Sequence, residues 1–277
     1  MEQLKITVGD ITISVRLHDS GFRFEPNDVY RPFSSDNDPD VLLRVCRGRF
    51  SKRRLKEKLF DAGTTWSMFG ENGRYVLDNS YQSIALESDF KSGTIYNKAV
   101  IGEQAAPFPL TYPLDEILVV NLLGRGRGMM VHSCGISDKG RGLLFAGSSQ
   151  SGKSTMANLW KKEKDTAALS DDRIIVRKMK KKFWIYGTPW HGDAKVCLKE
   201  KAPLEKIFFL KHTKNNIIKK VGPADAVSRL IICSFLPFWD KKGMEFTLKF
   251  CAELVENVPC YELGFVPDEH VLDFVRG

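Results

Sequence analysis

The chain has 277 residues, 43% hydrophobic and 27% charged, with a formal net charge of +8, the balance of an ordinary globular protein with one large domain or two smaller ones. Three classes are set aside at once: no apolar run approaches the ~20 residues needed to cross a bilayer, the first residues show no basic start followed by an apolar block, and the six cysteines form no C-x-x-C pair. No membrane partner, no signal peptide, no zinc cluster and no disulfide frame are therefore expected, and reduced, buried thiols in a cytoplasmic protein are. The positive excess fits anionic ligands such as nucleotides, and an acidic partner. It sits in short runs, Ser51 to Lys58 and Arg177 to Phe183, which read as solvated helix faces or hairpin tips, so no nucleic acid is expected.

Residues 1–110 read as a β-rich N-terminal region. "KITVGDITISVRL" alternates around Gly9-Asp10, a hairpin signal, and "VLLRVCRG", "TWSMFGENGRYVLDN" and "YQSIALESDF" continue as short strands, with a turn at Glu71-Asn72-Gly73. Residues 111–277 read as a nucleotide-binding α/β domain. "YPLDEILVVNLLGRGRG" predicts a helix stopping near Gly124, and "MMVHSCGIS" and "GLLFAGSS" predict buried strands. Further strands are expected at "ALSDDRIIVRK", "KFWIYGTP", "LEKIFFLKH" and "PCYELGF". Amphipathic helices are expected near "PADAVSRLIICSF" and "KKGMEFTLKFCAELVEN", split by Pro237, with a short helix at the end.

The sharpest signal is the stretch Gly147, Ser148, Ser149, Gln150, Ser151, Gly152, Lys153, Ser154, which reads G-x-x-x-x-G-K-S. A buried strand delivers the chain to Gly147, and the two glycines let successive N–H groups turn inward toward phosphate oxygens. A helix from near Gly152, on which Met156, Leu159 and Trp160 recur at helical spacing, adds its positive end. Lys153 supplies a charge for the β- and γ-phosphates, Ser154 a hydroxyl for Mg²⁺, and Thr155 follows next in line.

"ALSDDRIIV" places Asp171 and Asp172 seventeen and eighteen residues beyond Ser154, enough for one helix and a turn. Carboxylates there suit a metal-side ligand and a proton acceptor, and mutual repulsion is expected to raise one pKa. His132 lies in the strand before the loop strand. The turn-rich "YGTPWHGDAK" carries Trp190, His191, Asp193 and Lys195, residue types suited to substrate contact or to a simple connection.

The order His132, "GLLFAGSSQSGKST", "LSDDRIIV" resembles the catalytic domain of the HPr kinase/phosphorylase family, which shares one nucleotide-binding fold with ATP-type phosphoenolpyruvate carboxykinases. "APLEKIFFLKH" and "VPCYELGFVPDEHVLDFV" resemble HPr-kinase-related proteins found beside peptide-modification genes. The likeness covers residues 110–277 and implies ATP as donor, Mg²⁺, and a hydroxyl acceptor, a serine of a peptide or protein. It implies Asp171 as general base and Asp172 with Ser154 at the metal, with the two aspartates' roles open to exchange. It also implies His132 near the γ-phosphate, and allows a homo-oligomer. Where the family carries a Glu-Ile-Arg-Gly segment with a metal-side carboxylate, this chain reads "YGTPWHGD". That departure keeps two alternatives open: a nucleotide-binding regulatory module without catalysis, and a small-molecule kinase.

Overall fold

The computed structural model describes residues 3–18, 23–24, 27–48, 50–51, 57–71, 73–98, 105–106 and 108–277. Two sequence readings fall partly outside them, the basic run at residues 52–56 and the turn position Asn72. The chain divides into two compact units, Met1–Leu122 and Leu123–Gly277.

In the first unit β1 (Gln3–Val8) and β2 (Ile11–Leu17) form an antiparallel hairpin. Gly9 and Asp10 turn it with φ of 56° and 54°, the left-handed pair that a tight two-residue hairpin requires. After the short β3 (Arg23–Phe24) come β4 (Val41–Arg47), β5 (Glu57–Asp61), β6 (Trp66–Glu71), β7 (Arg74–Asn79), β8 (Gln82–Leu86) and β9 (Ser92–Asn97). A second short strand, β10 (Ala105–Ala106), pairs with β3, and the main eight-stranded sheet runs β1-β2-β4-β9-β8-β7-β6-β5. Val41, Leu43 and Val45 of β4 point into the core, alternating with outward residues. Helix α1 (Leu114–Gly124) begins in this unit, where Asp115, 7% exposed, accepts a hydrogen bond from the Tyr30 hydroxyl at 2.7 Å.

The second unit contains β11 (Met129–Asp138), β12 (Arg141–Ala146), α2 (Lys153–Trp160), β13 (Thr166–Ser170), β14 (Arg173–Met179), β15 (Lys182–Tyr186), β16 (Lys201–His212) and β17 (Ile217–Lys220). It ends with α3 (Pro223–Ile232), β18 (Ser234–Phe235), α4 (Lys241–Asn257), β19 (Cys260–Phe265) and α5 (His270–Arg276). The sheet runs β12-β11-β14-β15-β16-β19-β17. Strand β12 also pairs with β16, closing a circuit, and β13 and β18 add to β11.

Strand β12 is buried on both faces, which is why it reads as an unbroken apolar run. Leu144 and Ala146 enter the core that contains Leu230, Phe250 and Leu254 of α3 and α4, whereas Leu143 and Phe145 enter the core beside Trp160, Phe265 and Val271. The segment "ALSDDRIIVRK" is two strands, β13 and β14, with Asp171 and Asp172 as the link between them.

Candidate functional site

Register on β11 brings the predicted site residues together. Ser133 lies opposite Ala146, the last residue of β12, so the glycine-lysine loop starts beside it. Strand β13 leaves β11 at Ser170, opposite Gly135, and β14 rejoins it at Arg173, opposite His132. Asp171 and Asp172 therefore stand next to the loop, with the Ser133 amide donating to the Asp172 carbonyl at 3.0 Å. Strands β12, β16 and β19 are parallel, so their C-terminal ends all face this side of the sheet, the usual place for a ligand in an α/β fold.

The loop turns sharply into α2. Gly152 is the N-cap residue with φ 99°, and a Cβ there would lie 2.4 Å from Phe265 Cζ, so both backbone conformation and space demand glycine. Lys153, 6% exposed, folds back and donates from Nζ to the carbonyls of Gly147 (3.1 Å) and Ser148 (2.8 Å). Burial draws its ammonium group below the usual lysine range, and the nearby Asp172 offsets part of that.

The two aspartates have different surroundings. Asp171 is 1% exposed and its carboxylate accepts four hydrogen bonds: Oδ1 from the amides of Gly192 (2.9 Å) and Val196 (3.3 Å), Oδ2 from the Ala194 amide (2.8 Å) and the Ser154 hydroxyl (2.9 Å). Asp172 is partly open, its side chain 24% exposed, and lies 3.3 Å from His132 Nε2 and 3.1 Å from Arg173 Nη1. Burial alone would raise the Asp172 carboxyl. The His132 hydrogen bond and the charges of Arg173, His132 and Lys153 outweigh it and hold the group below the usual carboxylate range. Repulsion between neighbouring carboxylates, expected from the sequence to raise one of them, does not govern Asp172, because cations surround it.

A cavity of about 350 Å³, of a size to hold part of a small ligand, opens over these groups. Of the predicted residues, Ser149, Gln150, Gly152, Lys153, Ser154 and Thr155 line it on the loop side, and His132, Asp171 and Asp172 face them. Gly147, Ser148 and Ser151 shape the loop without lining the cavity. Ser151 is 9% exposed, with its hydroxyl unpaired, and packs where a Cβ on Gly147 would fall, 2.3 Å from its Oγ.

Three further residues complete the lining: Gly192, Asp193 and His212. Gly192 and Asp193 belong to the turn-rich loop, whose amides hold Asp171. His191 is turned to its own neighbour, Nδ1 lying 3.1 Å from the Gly192 carbonyl. His212 and Arg173 carry no motif that the sequence could have flagged. Arg173 lies over the Phe235 ring at 5.0 Å and the Trp190 ring at 5.9 Å, both within cation–π range.

All six cysteines are free thiols, and Cys134, Cys251 and Cys260 are buried. No helix among the described residues is long and apolar enough to cross a membrane.

No family model and no curated protein matches the chain. Among solved structures it is similar to the Hpr(Ser) kinase/phosphatase from Coxiella burnetii, with a TM-score of 0.30 and 11% sequence identity, over 53% of this chain and 85% of that one. A likeness of that size says nothing of substrate or activity.

Proposed function

We propose that the second unit is an ATP- and Mg²⁺-dependent phosphotransferase that moves the γ-phosphoryl group to a hydroxyl, a serine of a peptide or protein. One observation carries this reading: the Gly147–Ser154 loop joins a buried strand to a helix N-terminus, and faces two aspartates across a cavity. Backbone amides of the loop and the helix end would bind phosphate oxygens, and Lys153 would exchange its loop carbonyls for the β- and γ-phosphates.

The donors on the aspartate side are oxygens, which suits Mg²⁺. Among the described residues no group of three or more His, Cys, Asp and Glu could hold a metal alone. Mg²⁺ in such sites is held by one or two protein groups together with phosphates and water, so the donor set fits, with Ser154 and Asp172 as its protein ligands. When bound, the ion neutralises charge on the phosphate oxygens.

In the transfer, the bond from the γ-phosphorus to the β–γ bridging oxygen breaks. A new bond forms to the acceptor oxygen, ADP leaves with the bridging electrons, and the hydroxyl proton passes to a carboxylate. Asp171 already accepts four hydrogen bonds, two of them on each oxygen. Asp172 is the more open of the two and is held ionised. The base is therefore reassigned from Asp171 to Asp172, which accepts the proton and keeps its place on the metal side, while Asp171 orients Ser154. His132 holds Asp172 and stands beside the transferring group. Most of the rate would come from positioning and charge compensation.

Incubation with γ-labelled ATP and candidate acceptors tests the reading. Label should move to a peptide or protein, and Lys153→Ala should abolish the transfer. Magnesium-linked nucleotide affinity without labelled product would instead mark a regulatory module, and label on a metabolite a small-molecule kinase.

A further inference from the structure

His212 is the last residue of β16, and no motif includes it. It lines the same cavity as His132, and its Nε2 lies 2.9 Å from the carbonyl oxygen of Gln150, at the exposed tip of the phosphate loop. A carbonyl only accepts, so Nε2 must carry the hydrogen. Gln150 is held at φ 65°, a left-handed conformation that costs a residue with a side chain about as much as one hydrogen bond returns.

The ring of His212 is fixed in turn. Register places His212 beside Phe265 on the parallel strand β19, with ring centroids 5.6 Å apart. Phe265 reaches under the same loop, its Cζ 2.4 Å from where a Gly152 Cβ would stand, and His212 Cε1 lies 3.5 Å from that point. Two ring side chains at the ends of adjacent strands thus meet the loop at Gln150 and at Gly152.

We infer that His212 is a positioning residue for nucleotide binding: its Nε2–H pins Gln150 in the left-handed conformation and pre-sets the loop amides for phosphate. The role rests on the nucleotide-binding reading above. It needs a donor at that point, not a charge, because neutral and protonated imidazole both carry the Nε2 hydrogen in this geometry. The pin acts on binding, so it enters the KM for ATP and leaves kcat at saturation close to that of the unsubstituted protein.

Calorimetry with MgATP on the full chain tests this with three variants, each checked for unchanged melting without ligand. His212→Phe keeps a ring against Phe265 and loses the donor. It should weaken binding by about tenfold, the factor one hydrogen bond is worth. His212→Gln supplies an N–H near the Nε2 position and should bind within about threefold of the unsubstituted protein, well under the full worth of a hydrogen bond. Adding Gln150→Gly to His212→Phe removes the conformational cost that the pin offsets, and should recover most of the affinity. A structural role alone would not be repaired by that glycine. Equal binding by His212→Phe, or equal weakening in the Phe and Gln variants, overturns the inference while leaving nucleotide binding intact. If the unsubstituted chain binds no MgATP, both fall together. The imidazole nitrogen resonances of the unsubstituted protein give a check that needs no variant: neutral His212 must be the Nε2–H tautomer, and the Nδ1–H tautomer overturns the pin.

Discussion

At the scale of single residues, Asp171 and Asp172 are the same side chain one position apart, and the fold treats them oppositely. Asp171 is buried and saturated by three amides and a hydroxyl, whereas Asp172 is partly open and faces His132 and Arg173. Asp171→Asn would turn an NH₂ group against donors that have nowhere else to go. It should cost about 2–4 kcal/mol of stability, seen in the denaturant midpoint, and should lower turnover only as far as Ser154 is displaced. Asp172→Asn loses the charge that His132 and Arg173 stabilise but leaves a partly open site, so it should cost less stability than Asp171→Asn, and it should lose turnover by about 100- to 10,000-fold, the range for removing a general base. Equal melting points for the two variants would refute the distinction. Motif spacing locates the pair, but the donors that separate its members come from Gly192, Ala194 and Val196, more than twenty residues downstream. That is why the sequence left their roles exchangeable. His212 was invisible for the same reason, since its partner Gln150 is 62 residues away.

Among elements, β11 organises the site, because its first half pairs with β14 and β18 and its second half with β12 and β13. Strands buried on both faces, such as β12 and β16, were legible as apolar runs, and α2 as a periodic stretch after the glycines. Strand β17, "IIKK", was not, because a four-residue edge strand with exposed lysines has neither pattern. The last helix buries Val271, Leu272 and Val275 in the core beside Trp160, and one side chain adds polar ties. Arg276 of α5 donates to Asp138 at the end of β11 (3.3 Å) and to Glu163 beyond α2 (2.9 Å), and lies over the Trp160 ring at 4.9 Å. Asp138 is 1% exposed, and without Arg276 it keeps only Arg141, 3.3 Å away and half exposed, as a cationic partner. Arg276→Ala should destabilise the second unit by about 2–3 kcal/mol, and Arg276→Lys should recover only part, because an ammonium cannot serve two carboxylates and a ring at once. A denaturant midpoint unmoved by Arg276→Ala would show that α5 is held by its buried apolar face and not by this arginine.

For the whole molecule, the division between units decides what nucleotide binding requires. Each unit has its own main sheet, and the two cores on either side of the second sheet are built from residues 129–275. The cavity-lining residues lie between His132 and His212, and the groups beyond that range that orient them, Cys233, Phe235 and Phe265, belong to the same unit. Among the described residues, the groups named above around the loop, the aspartate link and His212 all belong to the second unit. A fragment that starts at Leu123, where the second unit begins, should therefore fold cooperatively and bind MgATP within about threefold of the full chain, since none of the loop groups has been removed. Peptide transfer is a separate matter: an acceptor that needs the first unit would leave the fragment able to bind nucleotide and unable to label peptide. Measured side by side, calorimetry and label transfer on fragment and full chain assign nucleotide binding and acceptor binding to their units. A folded fragment with no affinity for MgATP would show that the loop is not sufficient, and that the first unit takes part in holding the nucleotide.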